Sequence, residues 1–402
     1  MNMREVFNVR EAVIVSGVRT AGGKSPRGTL RDTRPEFLGK ICMEEAIKRL
    51  GPAFSSAMID DVIWGCSTPE QSCGLNTARV TALYAGIPNS VPAVTVNRFC
   101  SSGLQAIAFA AEAIISNRCD VVLAGGVEHM SLVPMGGIIR PNADIAADPA
   151  IADIYTNMGQ TAENVAQRFG VSREEQDAFA VASHQKAAAA MKSGAFKDEI
   201  VPVPVKMTTL GPDRKPVSKE IIYDYEEGII SDASLEKLGK LKPAFVPGGT
   251  VTAGNSSQTT DGASAVVLMS ADRARELDLK PRLKFVGYAV HGCPPEIMGV
   301  GPVYAIPKAL KRAGLELKDI GLIELNEAFA AQSIYCLGEL GINPDLVNVN
   351  GGAIALGHPL GCTGSKLTVT LMNEMERRQV KYGMVSMCIG GGQGAAGIFE
   401  LL

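Results

Sequence analysis

Two cysteines, a histidine and an asparagine are the residues of this 402-residue sequence best placed for chemistry. Cys100 lies in VNRFCSSGLQA (96–106), between a β-like run, Val91 to Val96, and an amphipathic run, Leu104 to Ile115, that reads as a helix. A thiol at a helix N-terminus faces unpaired backbone N–H groups and the positive end of the helix dipole, and both favour the thiolate. Ser101, Ser102 and Gly103 leave room for another molecule to reach the sulfur. His358 stands in a glycine-rich loop, GGAIALGHPLG (351–361), that enters a helix; Cys388 closes a strand in MCIGGGQGAAG (387–397); Asn326 closes another in ELNEAF (324–329). Each has a plainer reading when taken singly. A free cysteine is commonly a core residue, a histidine in such a loop is commonly structural, and an asparagine at a strand–helix turn is commonly a cap. Their joint placement points to a nucleophile served by a base and a second thiol.

The elements that must position these residues alternate along the chain. EAVIVSGVRT, DDVIWG, PAVTVN and DVVLAGG read as strands, and PEFLGKICMEEAIKRL and LQAIAFAAEAII as helices with 3.6-residue apolar spacing. This order predicts a mostly parallel sheet covered by helices. The last third repeats it: KDIGLIELNEA (318–328) parallels IDDVIWGCS (59–67), LVNVNGG (346–352) parallels VPAVTVN (91–97), GSKLTVTLMNEM (364–375) parallels the helix after Cys100, and YGMVSMCIGGG (382–392) parallels CDVVLAGG (119–126). These matches predict a duplicated α/β half. Ligands gather outside the carboxyl ends of parallel strands, so Cys100, Asn326, His358 and Cys388 are expected on one rim. The middle differs. RFGVSREEQDAFAVASHQKAAAAMKSGAF (168–196) opens with a capping box, Ser172 to Glu175, and is expected to stay helical to about Lys192. Residues 126–249 read as an insertion before a return at TVTAGNSS (250–257), able to cover a site and supply ligand contacts.

Composition removes several function classes. The net charge is −3 and no Lys/Arg block stands out, so neither nucleic acid nor a membrane surface is an expected partner. No apolar stretch approaches the ~18 residues of a membrane span. Nine cysteines without a C-x-x-C pair point to free thiols in a reducing compartment. Residues 1–11 are charged and the apolar run Ala12 to Val15 is too short for a signal peptide, so a cytoplasmic location is expected. GVRTAGGKS (17–25) is one residue too long for a phosphate-binding loop and reads as a turn. GGGQGAAG lacks the βαβ context of a dinucleotide site. A zinc site from Cys100, His358, Cys362 and Cys388 would consume the thiolate and lacks finger-like spacing, so no metal is expected.

The segments VNRFCSSGLQA, ELNEAF, GGAIALGHPLGCTG and MCIGGGQGAA resemble, in order, the active-site segments of the thiolase family. TAGNSSQTTDGASA (252–265) and NMGQTAENVA (157–166) resemble further thiolase segments, and the likeness runs from Val13 to near the C-terminus. RFGVSREEQDAFAVASHQKA with LKPAF (241–245) is similar to the degradative 3-ketoacyl-CoA thiolases. The resemblance implies a thiolase-like α/β fold: two duplicated mixed-sheet halves, residues 1–125 with 250–275 and residues 276–402, in an αβαβα layering with an inserted loop domain, 126–249. It implies ping-pong acyl transfer. His358 takes the Cys100 proton, the thiolate attacks a 3-ketoacyl-CoA, Cys388 protonates the released acetyl-CoA enolate, and CoA then collects the acyl group. His358 and a water held by Asn326 would stabilise the enolate oxygen, and the N–H groups of Cys100 and Gly390 the tetrahedral oxyanion.

By the same resemblance Ser257, Met158, Ala328 and Phe329 line a pantetheine channel, and CoA is a substrate, with no permanently bound cofactor. Ile230 falls where many thiolases carry an arginine against the nucleotide end of CoA; Arg214, Lys215 or Lys219 are the compensating candidates. Asn157 replaces a histidine common in short-chain biosynthetic thiolases, which favours 3-ketoacyl-CoA over acetoacetyl-CoA. The alternatives are an acetoacetyl-CoA thiolase, a non-catalytic acyl-CoA-binding relative, and a ketoacyl synthase-like enzyme; the second thiol argues against the last. The family implies a homodimer or homotetramer, and leaves open a partner in a β-oxidation multienzyme complex.

Overall fold

Helices that cover both faces of a sheet require strands that are apolar on both faces. Strand β1 (Ala12–Arg19) is buried at every residue. In the computed structural model, residues 10–210 and 213–402 are described; the charged residues 1–9 and the Gly211–Pro212 pair lie outside the described residues. Helix α1 (Pro35–Lys48) opens on a proline and turns Leu38, Cys42, Met43 and Ala46 inward. Strand β2 (Asp61–Gly65), helix α2 (Thr77–Tyr84), strand β3 (Ala93–Val96), helix α3 (Ser102–Ile115) and strand β4 (Val121–His129) follow. A long excursion then carries helices α4 (Met158–Phe169) and α5 (Arg173–Ser193) and an antiparallel hairpin of Val203–Leu210 with Pro216–Tyr223. The capping box expected at Ser172 and Glu175 opens α5. The chain returns in β5 (Thr260–Ser270).

Two strand limits lie close to the edges of the middle part. Strand β4 continues past Gly126 to His129, paired with β5 throughout. Residues 250–257 stay out of the sheet because side chains take over their backbone: Asn255 Oδ1 accepts from Thr252 N at 2.7 Å, and its Nδ2 donates to Asp177 of α5 at 2.9 Å.

The second half runs through β6 (Leu283–Gly292), α6 (Gly301–Ala313), β7 (Leu322–Leu325), α7 (Ala330–Leu340), α8 (Leu360–Arg378), β8 (Tyr382–Ile389) and β9 (Gln393–Leu401). The strand order is β7-β8-β9-β6-β1-β5-β4-β2-β3. Each half repeats one pattern outward from the central β1–β6 pair. Two antiparallel pairings come first, β1–β5–β4 and β6–β9–β8. Parallel pairings follow, β4–β2–β3 and β8–β7. Where the first half has β3, the second has a single parallel bridge, Ile323 to Val347. Asn348 stops that strand: its backbone is left-handed at φ 45°, and its side-chain amide exchanges both hydrogen bonds with Leu325 that a continuing strand would make. In GVRTAGGKS, residues 17–19 end β1 and Gly23–Lys24 pairs with β5, so only residues 20–22 turn between strands. Arg19 at the end of β1 is buried between Glu199 and Glu226, at 2.6 and 2.5 Å, and ties the excursion to the sheet.

Helices α3 and α8 pack between the half-sheets, with α1 and α2 outside the first and α6 and α7 outside the second, which makes five layers. Helix α8 is buried all round from Leu360 to Met375, as a central helix must be. The two central helices meet backbone to backbone. A Cβ on Gly364 would stand 2.3 Å from Leu104 N, and one on Gly103 would stand 2.8 Å from Ser365 N. The strand ends close in too: a Cβ on Gly65 would lie 2.6 Å from Gly361 O, and one on Gly126 2.3 Å from the same oxygen. Main chain cannot yield as a side chain can, so Gly364→Ala is expected to cost about 3 kcal/mol or more. Urea unfolding of the variant checks this; a midpoint equal to wild type would contradict the contact.

Candidate active site

Cys100 sits on the single turn Phe99–Ser101 that precedes α3. The turn is sharp, with Phe99 at φ 42°, and side chains fix it. Asn97 Oδ1 accepts from Phe99 N at 2.8 Å, Ser102 Oγ donates to Phe99 O at 2.7 Å, and Ser102 Oγ accepts from Arg98 N at 2.9 Å. Cys100 is buried against Met130 and Leu360. Burial pushes its thiol up to about 11, while the N–H groups of Gly390 and of Cys100 itself, both aimed at the sulfur, pull the other way. The amides favour the thiolate, as expected of a helix terminus, but burial acts more strongly in the other direction. Desolvation outweighs the dipole.

His358 follows a left-handed Gly357 at φ 78°. Its backbone N–H is shared between Gln258 O at 3.1 Å and Thr260 Oγ1 at 3.0 Å. Lys366, buried one turn into α8, donates to the carbonyls of Leu356 at 2.7 Å and Gly357 at 3.1 Å and so holds the loop from behind. The ring is bonded at both nitrogens: Nδ1 to Thr363 Oγ1 at 2.6 Å and Nε2 to Asn326 Nδ2 at 3.3 Å. An amide N–H can only donate, so Nε2 is the bare nitrogen and Nδ1–H donates to Thr363. Burial, with Lys366 nearby, lowers the ring to about 3. The imidazole is thus neutral, with Nε2 unprotonated.

Asn326 leaves β7 with its N–H bonded to Ser386 O at 2.9 Å, and its Oδ1 is buried without a partner among the described residues. Cys388, at the end of β8, is fully buried, and burial raises its thiol well above the ordinary range, with the Cys100 thiol acting in the same direction. The four residues expected on one rim do converge: Leu360, two residues from His358, touches Cys100; Gly390, two from Cys388, offers its N–H to Cys100; Asn326 touches His358.

The residues expected along a channel gather beside Cys388. Met158, Ala328 and Phe329 share its apolar cluster, and Ser257 N donates to Ala328 O at 2.9 Å. Phe245 of LKPAF packs edge-on against Phe329, centroids 6.0 Å apart. Asn157 caps α4 by accepting from Gly159 N at 2.9 Å. Ile230 is exposed, and its N–H donates to His184 Nδ1 at 3.2 Å. Arg214, Lys215 and Lys219 lie on the exposed hairpin, where Lys215 pairs with Asp213. No group of three or more His, Cys, Asp or Glu side chains among the described residues is arranged to hold a metal ion.

Sequence reasoning missed four residues that hold this site: Thr363, Lys366, Gln332 and Glu128. None stands in a pattern that signals its partner. Glu128 lies at the end of β4, and its carboxylate accepts from Ser67 N, Thr68 N and Gly361 N at 2.8, 3.1 and 2.8 Å. It joins the first half to the loop after His358. Burial raises its carboxyl to about 7. A raised carboxyl binds its proton more tightly when folded, so its contribution to stability is full below about pH 4.5 and is lost as pH rises to about 7. Relative to Glu128→Gln, wild type should lose on the order of 3 kcal/mol across that window. Urea midpoints of both proteins at several pH values test this; a difference that does not vary with pH would contradict it.

Comparison with known proteins agrees with this geometry. The family models "Thiolase, N-terminal domain" and "Thiolase, C-terminal domain" match residues 12–272 and 279–401. The 3-ketoacyl-CoA thiolase of Bacillus subtilis (strain 168) is 57% identical over 394 residues, covering 98% of this chain and 100% of that protein. The one from Escherichia coli O1:K1 / APEC is 47% identical over 396 residues, with the same coverage. Among solved structures, the Bacillus anthracis acetyl-CoA acetyltransferase superposes with a TM-score of 0.87 at 40% identity, and human mitochondrial 3-ketoacyl-CoA thiolase with 0.86 at 39%; each comparison covers 98% of this chain and 99% of the other. Family models over both halves and full-length relatives at 47–57% identity show that this chain belongs to the thiolase family.

Proposed function

We propose that the chain is a 3-ketoacyl-CoA thiolase: it cleaves a 3-ketoacyl-CoA with CoA to acetyl-CoA and a shortened acyl-CoA in fatty acid degradation. The observation that carries this reading is the pair of thiols. Acyl transfer alone needs one nucleophile and one base, whereas breaking a carbon–carbon bond also needs an acid for the carbon that leaves, and Cys388 supplies it.

In the first half-reaction, His358 Nε2 accepts the Cys100 proton and the sulfur attacks the 3-keto carbon. The N–H groups of Cys100 and Gly390 stabilise the resulting oxyanion. Collapse restores the carbonyl as a Cys100 thioester and expels the acetyl-CoA enolate, whose carbon takes the Cys388 proton. His358 and Asn326 serve the enolate oxygen, and the unpartnered Asn326 Oδ1 is suited to hold a water there. In the second half-reaction, CoA gives its thiol proton to Cys388 and takes the acyl group, and Cys100 recovers its proton from His358. Both halves start from neutral side chains, in keeping with the raised Cys100 thiol and the lowered His358.

Ser257, Met158, Ala328 and Phe329 are the proposed pantetheine contacts. The proposed division remains residues 1–125 with 250–275, 126–249 and 276–402, with the middle part over the site. With Ile230 in place of a cation, the CoA phosphates call on Arg214, Lys215 or Lys219. A homodimer is proposed at the outer edge of the first half. Strand β3 leaves one side unpaired there, and Leu75, Leu83, Tyr84 and Val94 are exposed around it. Nine free cysteines suit a reducing, cytoplasmic setting.

The test is thiolysis of 3-ketoacyl-CoA substrates from four to sixteen carbons by wild type and Cys100→Ala. Wild type is expected to turn over several lengths, and the variant to lose at least about 10⁴-fold in kcat. Turnover of the four-carbon substrate alone would identify an acetoacetyl-CoA thiolase. No turnover with CoA still bound would identify a binding protein.

A further inference from the structure

Gln332 is completely buried in the first turn of α7, and none of the steps above uses it. Cys388 Sγ donates to its Oε1 at 3.6 Å, and Phe329 N donates to the same oxygen at 3.5 Å. Its Nε2 is buried with no hydrogen-bond partner among the described residues. The stem is held in place: a Cβ on Gly299 would stand 2.6 Å from Gln332 Cβ and 3.2 Å from its Cγ, so that glycine leaves the room Gln332 fills. No other side chain among the described residues hydrogen-bonds Cys388. Its remaining neighbours are apolar, Ala162, Val251, Met298, Ala328 and Phe329, together with the thiols of Cys100, Cys293 and Cys336.

A thiol that must alternate between S–H and S⁻ in such a place has a specific need. Unpaired, a buried anion is costly. A fixed cation beside it would hold the proton off, and a fixed carboxylate would hold it on. A neutral amide offers an acceptor to S–H and a donor to S⁻, at opposite ends of one planar group.

We propose that Gln332 is the positioning residue for the proton transfers of Cys388: its amide oxygen accepts from the thiol, and on rotation about χ3 its amide nitrogen donates to the thiolate. This rests on the thiolase reading. In cleavage, the S–H proton goes to the enolate carbon, the S–H bonding electrons stay on sulfur, and the amide nitrogen turns to it. The CoA thiol then returns a proton to sulfur and the amide turns back. In condensation, sulfur takes a proton from the methyl group of an acetyl thioester and the amide moves the other way.

Exchange of the acetyl protons of acetyl-CoA in D2O, followed by NMR, reads Cys388. Alkylation of Cys100 by iodoacetamide, located by mass spectrometry, calls only on the Cys100 sulfur and its base and does not depend on it. In Gln332→Met, exchange should fall by about tenfold or more relative to wild type, the worth of a hydrogen bond to a charged group. Cys100 alkylation should stay within about twofold. Gln332→Asn keeps both amide atoms one methylene further back, and should lie between Gln332→Met and wild type. A common loss in both rates would mean that Gln332 is only scaffold and would overturn the proposal, as would unchanged exchange. If circular dichroism shows that Gln332→Met does not fold, the ratio of the two rates in Gln332→Asn decides: a lowered ratio supports the proposal and a wild-type ratio overturns it. Wild type that neither exchanges nor turns over a 3-ketoacyl-CoA would instead remove the thiolase reading itself.

Discussion

Main chain packed against main chain, where α3 and α8 enter the core, is the constraint on which the site depends. Gly65, Gly103, Gly126, Gly361 and Gly364 meet there with no space for a Cβ. Helix axes that approach this closely bring their N-termini together, and those N-termini carry Cys100 and the loop of His358. A wider spacing, as side chains would impose, would separate nucleophile from base. Glu128 completes the junction by accepting amides from both halves, and so replaces the hydrogen bonds that a sheet or helix would have given Ser67, Thr68 and Gly361.

Burial then decides the charge state. The N–H groups around Cys100 favour a thiolate, but removal from water acts more strongly and leaves the thiol up at about 11. The same removal keeps His358 neutral. A resting pair of neutral groups fits acyl chemistry in an apolar channel, because charge appears only when substrate supplies the carbon that receives the electrons. The preorganised amides of Cys100 and Gly390 are worth more at that moment in a dry site than they would be in water.

Much of this was legible in the sequence. Strands buried on both faces are continuous apolar runs, and the glycines that allow the central contact also punctuate those runs, so the repeat showed itself as matched segments. Cys100, Asn326, His358 and Cys388 stood out because strand ends are where such a fold exposes chemistry. What stayed hidden depends on distance across the fold. Glu128 looks like one more residue at a strand end, and its three amide partners come from segments that only the folded chain brings together. Lys366 looks like a surface lysine of a polar helix, and only the central position of α8 buries it. Residues 250–257 carry strand-like apolar and β-branched residues, but Asn255 spends its side chain on the backbone and draws them away from the sheet.

Duplication also brings two cysteines together in different surroundings. Cys100 and Cys388 emerge at corresponding rims of the two halves, one just before a helix and one at a strand end. The first lies under two backbone amides, its own and that of Gly390. The second faces an apolar wall with an amide side chain at 3.6 Å, so its sulfur is served for proton exchange. Neither environment requires a net charge on the protein, and each follows from which local element carries the cysteine. A chain that repeats a fold can thus place two residues of one type in different surroundings, and the main-chain contact of α3 and α8 fixes where Cys100 and the loop of His358 enter.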